Sequence, residues 1–386
     1  MGKVTVYCPI SGCSPEIPHS MWVYTLLESS PEDKERAGAV VSAAIKSLLD
    51  AREKRSQDDI TVIGPANPDS PGELNDAEMT LEEVTKTLDE SILVFRTTAD
   101  EDQWDEGCVP YSKDNDLAAI VSYGGCIMVQ TSALAILLHA TSGRMNPRRA
   151  WRLVMQTLRT SKETENMWVM PGINYGDVMH ELDVWQQDPE NTPGMAQEAV
   201  RDLEHLGDEE KVKEALLYQG QHWIWMSPDR FPLTVNPDVN STPTLIEGST
   251  KSSHTLAPVE QLPQELLVLT GSHLPLISLL ALASTSRHLR VKLLGTVTDR
   301  DALARAWIVQ SGPWYEPLPL HPFQKAGDSQ GVQEREEDGV ELPEDWQTAL
   351  SWDYLYRCLA SASMRNRRRI WDVAGQLEKR AIELGI

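Results

Sequence analysis

Phenylalanine is almost missing from this chain, with three residues in 386, while tryptophan supplies twelve. Tryptophan both fills cores and anchors interfaces, so aromatic content alone does not separate a core from a binding surface. Cysteine is sparse as well. Cys8, Cys13, Cys108, Cys126 and Cys358 form an odd, scattered set that gives no disulfide framework. Cys8, Cys13 and His19 lie close in sequence. Zinc needs four ligands, usually with tighter Cys-x-x-Cys spacing, and no second pair follows. No metal site is therefore expected. Positive charge is short too: 35 Lys and Arg stand against 58 Asp and Glu, for a net charge of −23. Proteins devoted to nucleic acid need the opposite balance, so that class is excluded.

Catalytic signatures are also lacking. No G-x-S-x-G, H-E-x-x-H or phosphate-cradling loop occurs. Gly124-Gly125 lacks the third glycine and the following helix start that a phosphate cradle needs. No catalytic residue and no cofactor are assigned. The first residues hold no long apolar signal region. Val6 stands where a myristoylation motif needs Ser or Thr. A cytoplasmic or nuclear protein is expected, without membrane attachment.

What is present reads mostly as helix. Ser30-Pro31-Glu32-Asp33 opens one, and Ala37, Val40, Val41, Ala44, Ile45, Leu48 and Leu49 continue it at helical spacing to about residue 54. Ile60–Gly64 and Ser91–Arg96 are compatible with strands, and Pro65–Gly72 reads as a loop. Residues 73–106 carry twelve acids against two bases, the pattern of a solvated face. Thr80-Leu81-Glu82-Glu83 looks like a capping box. Thr131-Ser132 can cap a helix bearing His139, and Asn146-Pro147 starts another. Glu198–Gln219 is helical and acidic, and the aromatic His222–Trp225 run can pin it to a core. Near the end, Arg365, Arg367, Arg368 and Arg369 make the basic patch of an acidic chain. Its expected place is against acidic helices of the same chain or in solvent. Nuclear import or phosphate reading is the alternative.

The strongest feature is Leu262–Trp307. Leu262-Pro263-x-Glu265-Leu266-Leu267 opens a helix, Gly271-Ser272-His273 breaks it, and Leu274-Pro275 begins a second apolar run through Leu279, Leu280, Leu282 and Ala283. Ser286-Arg287-His288-Leu289 leads into a third helical stretch from Leu293 to Trp307. Three short helices make a very small core, and the apolar excess points to a face meant for a partner. Gly271, His273 and Pro275 interrupt the run where a membrane span would need about 20 continuous apolar residues.

These residues resemble an F-box. With Pro313-Trp314-Tyr315 and the helical tail from Leu350, the layout is similar to a basidiomycete class of F-box proteins. Thr285-Ser286 stands where many boxes have Val-Cys, and His288-Leu289 replaces a usual bulky aromatic region. The resemblance implies a non-catalytic adaptor that docks a Skp-type protein and brings an unknown protein substrate to a cullin-RING ubiquitin ligase. Leu262, Pro263, Leu266, Leu267, Leu274, Pro275, Leu279 and Leu280 would then meet that adaptor. The competing reading is a stand-alone structural or interaction protein in which these helices are only core. The expected fold is mainly α, with an F-box-like three-helix unit inside a larger helical protein, small strand pairs and long acidic or Pro-rich loops. Its expected parts are a helical region 1–230, a Pro/Ser/Thr-rich linker 231–258, the box-like unit 259–310, an acidic loop 311–349 and a helical tail 350–386 with the basic cluster.

Overall fold

The computed structural model describes residues 8–13, 38–53, 59–67, 70–74, 92–98, 108–110, 118–120, 126–160, 170–176, 201–218, 222–233, 256–317 and 350–386. Among these residues the chain is mainly helical, with a small antiparallel sheet. It divides into two units, the first Met1–Pro228, Leu320–Gly327 and Arg365–Ile386, the second Asp229–Pro319 and Asp328–Met364.

The first unit holds helix α1 (Ala39–Glu53) and strand β1 (Asp59–Asn67). The helix start expected near Pro31 lies outside the described residues. The Glu204 carboxylate accepts the N–H groups of Val40 at 3.2 Å and Val41 at 2.9 Å, which satisfies two orphan donors of the α1 N-terminus. Strand β1 is central. Its whole run Ile60–Ile63 is buried, and strands pair with it on both edges. The Pro65–Gly72 loop is corrected: β1 continues to Asn67 and returns as β2 (Ser70–Leu74), with Ala66 opposite Leu74 and Asn67 opposite Ser70. Strand β3 (Ile92–Thr98) pairs along Asp59–Pro65. Strands β4 (Cys108–Pro110) and β5 (Ala118–Ile120) make a separate pair. Strand β6 (Ile127–Gln130) pairs with Ile60–Ile63. Pro65 lies beyond that ladder, where a missing N–H can face a side without a strand partner.

Helix α2 (Thr131–Ala140) follows β6 directly. Thr131 does not cap it. Gln130 holds the cap position without a side-chain bond, and the buried Thr131 hydroxyl instead shares a 2.9 Å hydrogen bond with Thr61. Helix α3 (Pro147–Thr160) starts as the sequence suggests, with Asn146 Oδ1 accepting the Arg149 N–H at 2.9 Å. The acidic helical run is interrupted at 205–208 and resumes as α4 (Glu209–Tyr218). Val212 and Leu216 of α4 pack against Val41, Ala44, Ile45 and Leu48 of α1. A 3-10 turn, His222–Trp225, buries Trp223 and Ile224. The capping box expected at Thr80 and most of the acidic run 73–106 fall outside the described residues.

The second unit begins with a 3-10 turn (Pro258–Gln261), then α5 (Gln264–Ser272), α6 (Leu276–Thr285), α7 (Arg287–Leu294) and α8 (Val297–Ser311). The single third helix expected from Leu293 to Trp307 is therefore two. Thr296 ends the run: its side chain accepts the Asp299 N–H at 3.1 Å while the Asp299 carboxylate accepts the Thr296 N–H at 3.2 Å. This reciprocal box, just after Gly295, starts a new helix inside the stretch expected to be one. Helix α9 (Trp352–Ala360), expected in the tail, belongs to this unit. Its Tyr354 hydroxyl donates to Tyr315 O at 2.7 Å, and the Trp352 N–H donates to Asp301 at 2.9 Å. Leu267, Leu279, Leu293, Leu303, Ile308 and Leu355 share one core. The last helix, α10 (Ala362–Glu383), belongs to the first unit from Arg365 onward and buries Ile370, Val373, Leu377 and Ala381 at helical spacing.

Candidate functional site

The eight residues assigned to docking separate by burial. Leu267 is 1% exposed and Leu279 is 0% exposed, so both are core and neither can meet a partner without repacking. This corrects the expectation of one surface containing all eight. Leu262 and Leu274 are half-buried, while Pro263, Leu266, Pro275 and Leu280 are exposed. The sequence reading missed the two most open apolar side chains beside them. Leu269 is 56% exposed and Ile277 is 79% exposed. Leu266 and Leu269 sit three residues apart on α5, as Ile277 and Leu280 do on α6, so each pair shares a helix face. That spacing, read outward from Leu266 and Leu280, was the available signal.

The scaffold under these side chains is tied down. Gly271 is buried, and a Cβ there would come within 2.8 Å of Leu279 Cδ1, so glycine leaves room for the Leu279 side chain. Trp307 Nε1 donates to Leu274 O at 2.8 Å, and the Ser311 hydroxyl donates to Ser272 O. Both bonds fix the α5–α6 turn to α8. Lys292 Nζ donates to Glu260 O at 2.8 Å and Leu262 O at 2.9 Å, holding the entry turn. Gln264 Nε2 donates to Asp299 at 2.6 Å, which fastens the first turn of α5. The Thr296 hydroxyl, and secondarily Gln264, hold the Asp299 carboxyl below the ordinary carboxylate range. Burial pushes the Cys358 thiol of this unit up to about 12, so it stays protonated at neutral pH.

The basic run, the other candidate, belongs to the first unit. Arg365 lies over the Trp223 ring, 4.3 Å from its centroid. Arg367 and Arg369 are 2% and 7% exposed, which is the opposite of a solvated cluster. Arg367 Nη1 donates to Pro228 O at 3.3 Å. Arg369 donates to Ser11 O, to Tyr175 O at 3.1 Å and to Asn366 Oδ1 at 2.9 Å. The expected pairing with acidic helices is thus corrected for Arg369, which binds backbone carbonyls of two loops. Its burial also removes it from any phosphate-reading surface. His139 is half-buried, with its ring edge 5.2 Å from Trp371 between centroids, and burial lowers its pKa.

Among the described residues no three His, Cys, Asp or Glu side chains are grouped to hold a metal ion, and no helix is long and apolar enough to cross a membrane. His19 lies outside those residues. Comparison with protein-family profiles, curated proteins and solved structures finds no match.

Proposed function

We propose that this chain is a non-catalytic F-box-type adaptor. The unit from 258 to 311 docks a Skp-type protein, and the remainder holds a protein substrate for a cullin-RING ubiquitin ligase. The observation that carries this reading is the exposed apolar set Leu266, Leu269, Ile277 and Leu280 on α5 and α6, the two helices that bear the F-box-like residues. Exposed aliphatic side chains carried in pairs on two short, fastened helices gain most when a partner covers them. The docking set is accordingly Leu266, Leu269, Ile277 and Leu280, flanked by Leu262, Pro263, Leu274 and Pro275, with Leu267 and Leu279 supporting from the core.

The burial of Leu267 and Leu279 is equally what a core-only, stand-alone interaction protein requires. Reconstitution separates the two readings. The full chain is mixed with a recombinant Skp-type adaptor and the cullin N-terminal domain, and the mixture is run by size exclusion. The adaptor reading expects one co-eluting complex. Elution of the folded chain apart from the adaptor overturns it.

A further inference from the structure

The turn Cys8–Cys13 carries chemistry that the docking function does not use. We infer that Cys8 and Cys13 are the two halves of a reversible disulfide that closes this turn. The Cys8 N–H donates to Cys13 O at 2.8 Å, and the Gly12 N–H donates back to Cys8 O at 2.8 Å. With ordinary backbone dimensions a single bond of that length holds the two Cα atoms no more than about 6.7 Å apart, inside the window a disulfide spans. Both thiols are reduced in this structure. Both sulfurs reach the same residue from the two sides of the turn: Cys8 Sγ accepts the Ser11 N–H at 3.4 Å, and the Cys13 thiol donates to Ser11 O at 3.9 Å.

The surroundings hold this geometry. Gly12 has φ +76°, and a Cβ there would come within 2.8 Å of the Tyr175 ring, so only glycine fits the turn. The Tyr175 hydroxyl donates to Pro9 O at 2.7 Å. The Gln130 N–H donates to Cys8 Sγ at 3.3 Å. Arg369 Nη2 lies 3.7 Å from Cys13 Sγ, and the guanidinium is buried. A cation beside the sulfur favours the thiolate, which is both attacking and leaving group in exchange. Burial opposes it and is the larger effect, holding Cys13 above its ordinary thiol value. Exchange therefore proceeds when the turn opens, and the closed turn favours the product through preset geometry. A metal is the poorer occupant, since among the described residues no third His, Cys, Asp or Glu is grouped with this pair to complete a site.

The reaction balances with a small-molecule disulfide as oxidant. Oxidised glutathione is attacked by one thiolate, releasing one glutathione thiol. The second protein thiolate then displaces the other glutathione. One S–S bond forms, one breaks, and two protons and two electrons pass to glutathione. The test equilibrates the full-length chain in glutathione buffers of graded oxidised-to-reduced ratio. Free thiols are then alkylated under denaturing conditions and the peptides are weighed. A synthetic peptide of residues 5–16 serves as reference. The expected result is a Cys8–Cys13 link, lost on reduction, with Cys126 and Cys358 alkylated. The folded chain should form it at a ratio at least about tenfold more reducing than the peptide needs. Cys13→Ser should leave no internal link, with folding confirmed by tryptophan fluorescence. Alkylation of both Cys8 and Cys13 at every ratio, a link to another cysteine, or a peptide that oxidises as readily as the folded chain would overturn the inference.

Discussion

Adjacent residues in this chain have opposite fates, and the difference lies in which side of a helix each occupies. Leu266 is 47% exposed and Leu267 is 1% exposed. Leu267→Ala should cost about 2–5 kcal/mol of stability by leaving a cavity, whereas Leu266→Ala should stay within about 0.5 kcal/mol. Chemical denaturation of both variants checks this, and equal losses would mean that the α5 faces are wrongly assigned. The arginines make the same point. Arg369→Met removes the donors to Ser11 O, Tyr175 O and Asn366 Oδ1. Leaving such buried acceptors unpaired should cost about 1–3 kcal/mol. Exposed Arg365→Gln forfeits the contact with the Trp223 ring and should cost no more than about 1 kcal/mol. A run of arginines reads naturally as surface, which is why the burial was not legible. Yet the Ile370, Val373, Leu377 and Ala381 stripe, extended three or four residues back, lands on Asn366, Arg367 and Arg369. The period was in the sequence and the residue type concealed it.

At the scale of elements, the helices were legible where apolar residues repeat and a cap stands ahead of them, as at Asn146-Pro147. Two boundaries were not. Pro65 ends an apolar strand pattern without ending the strand, because the tolerance comes from the neighbouring ladder and not from the residue. Thr296 divides α7 from α8 through its reciprocal bonds with Asp299, a Thr-x-x-Asp signature that the helical spacing from Leu293 to Trp307 masks. Thr296→Ala should therefore destabilise the second unit by about 1 kcal/mol. Asp299 gives this box a pH dependence. Its carboxyl titrates below the ordinary value in the folded chain, so the stabilisation is fully present above the unfolded value of about 3.9. It is lost as pH falls through the lower folded value. Asp299→Asn should be less stable than the parent at pH 7, and the gap should narrow as acid protonates the parent carboxyl. Melting curves from pH 7 down to about 3 read this directly. A gap that widens in acid would contradict the assigned hydrogen bonds.

Across the whole molecule, the stretch that bears the docking helices stands apart in charge. Residues 256–317 contain five acidic and five Lys or Arg residues, in a chain whose net charge is −23. The exposed leucines and Ile277 thus sit on a locally neutral scaffold, and docking there should depend on apolar burial more than on charge. Adaptor affinity should accordingly change less than about tenfold between low and high salt, since screening acts on exposed charges. The most direct measurement is titration calorimetry of the full chain with a recombinant Skp-type adaptor, comparing the parent with the double variant Leu269→Asp, Ile277→Asp. Both positions are exposed, so melting should be unchanged. If each anchor carries about 2 kcal/mol, the pair should lower affinity by at least about a hundredfold. Parent-like affinity in the folded double variant, or no binding by the parent chain, would contradict the account.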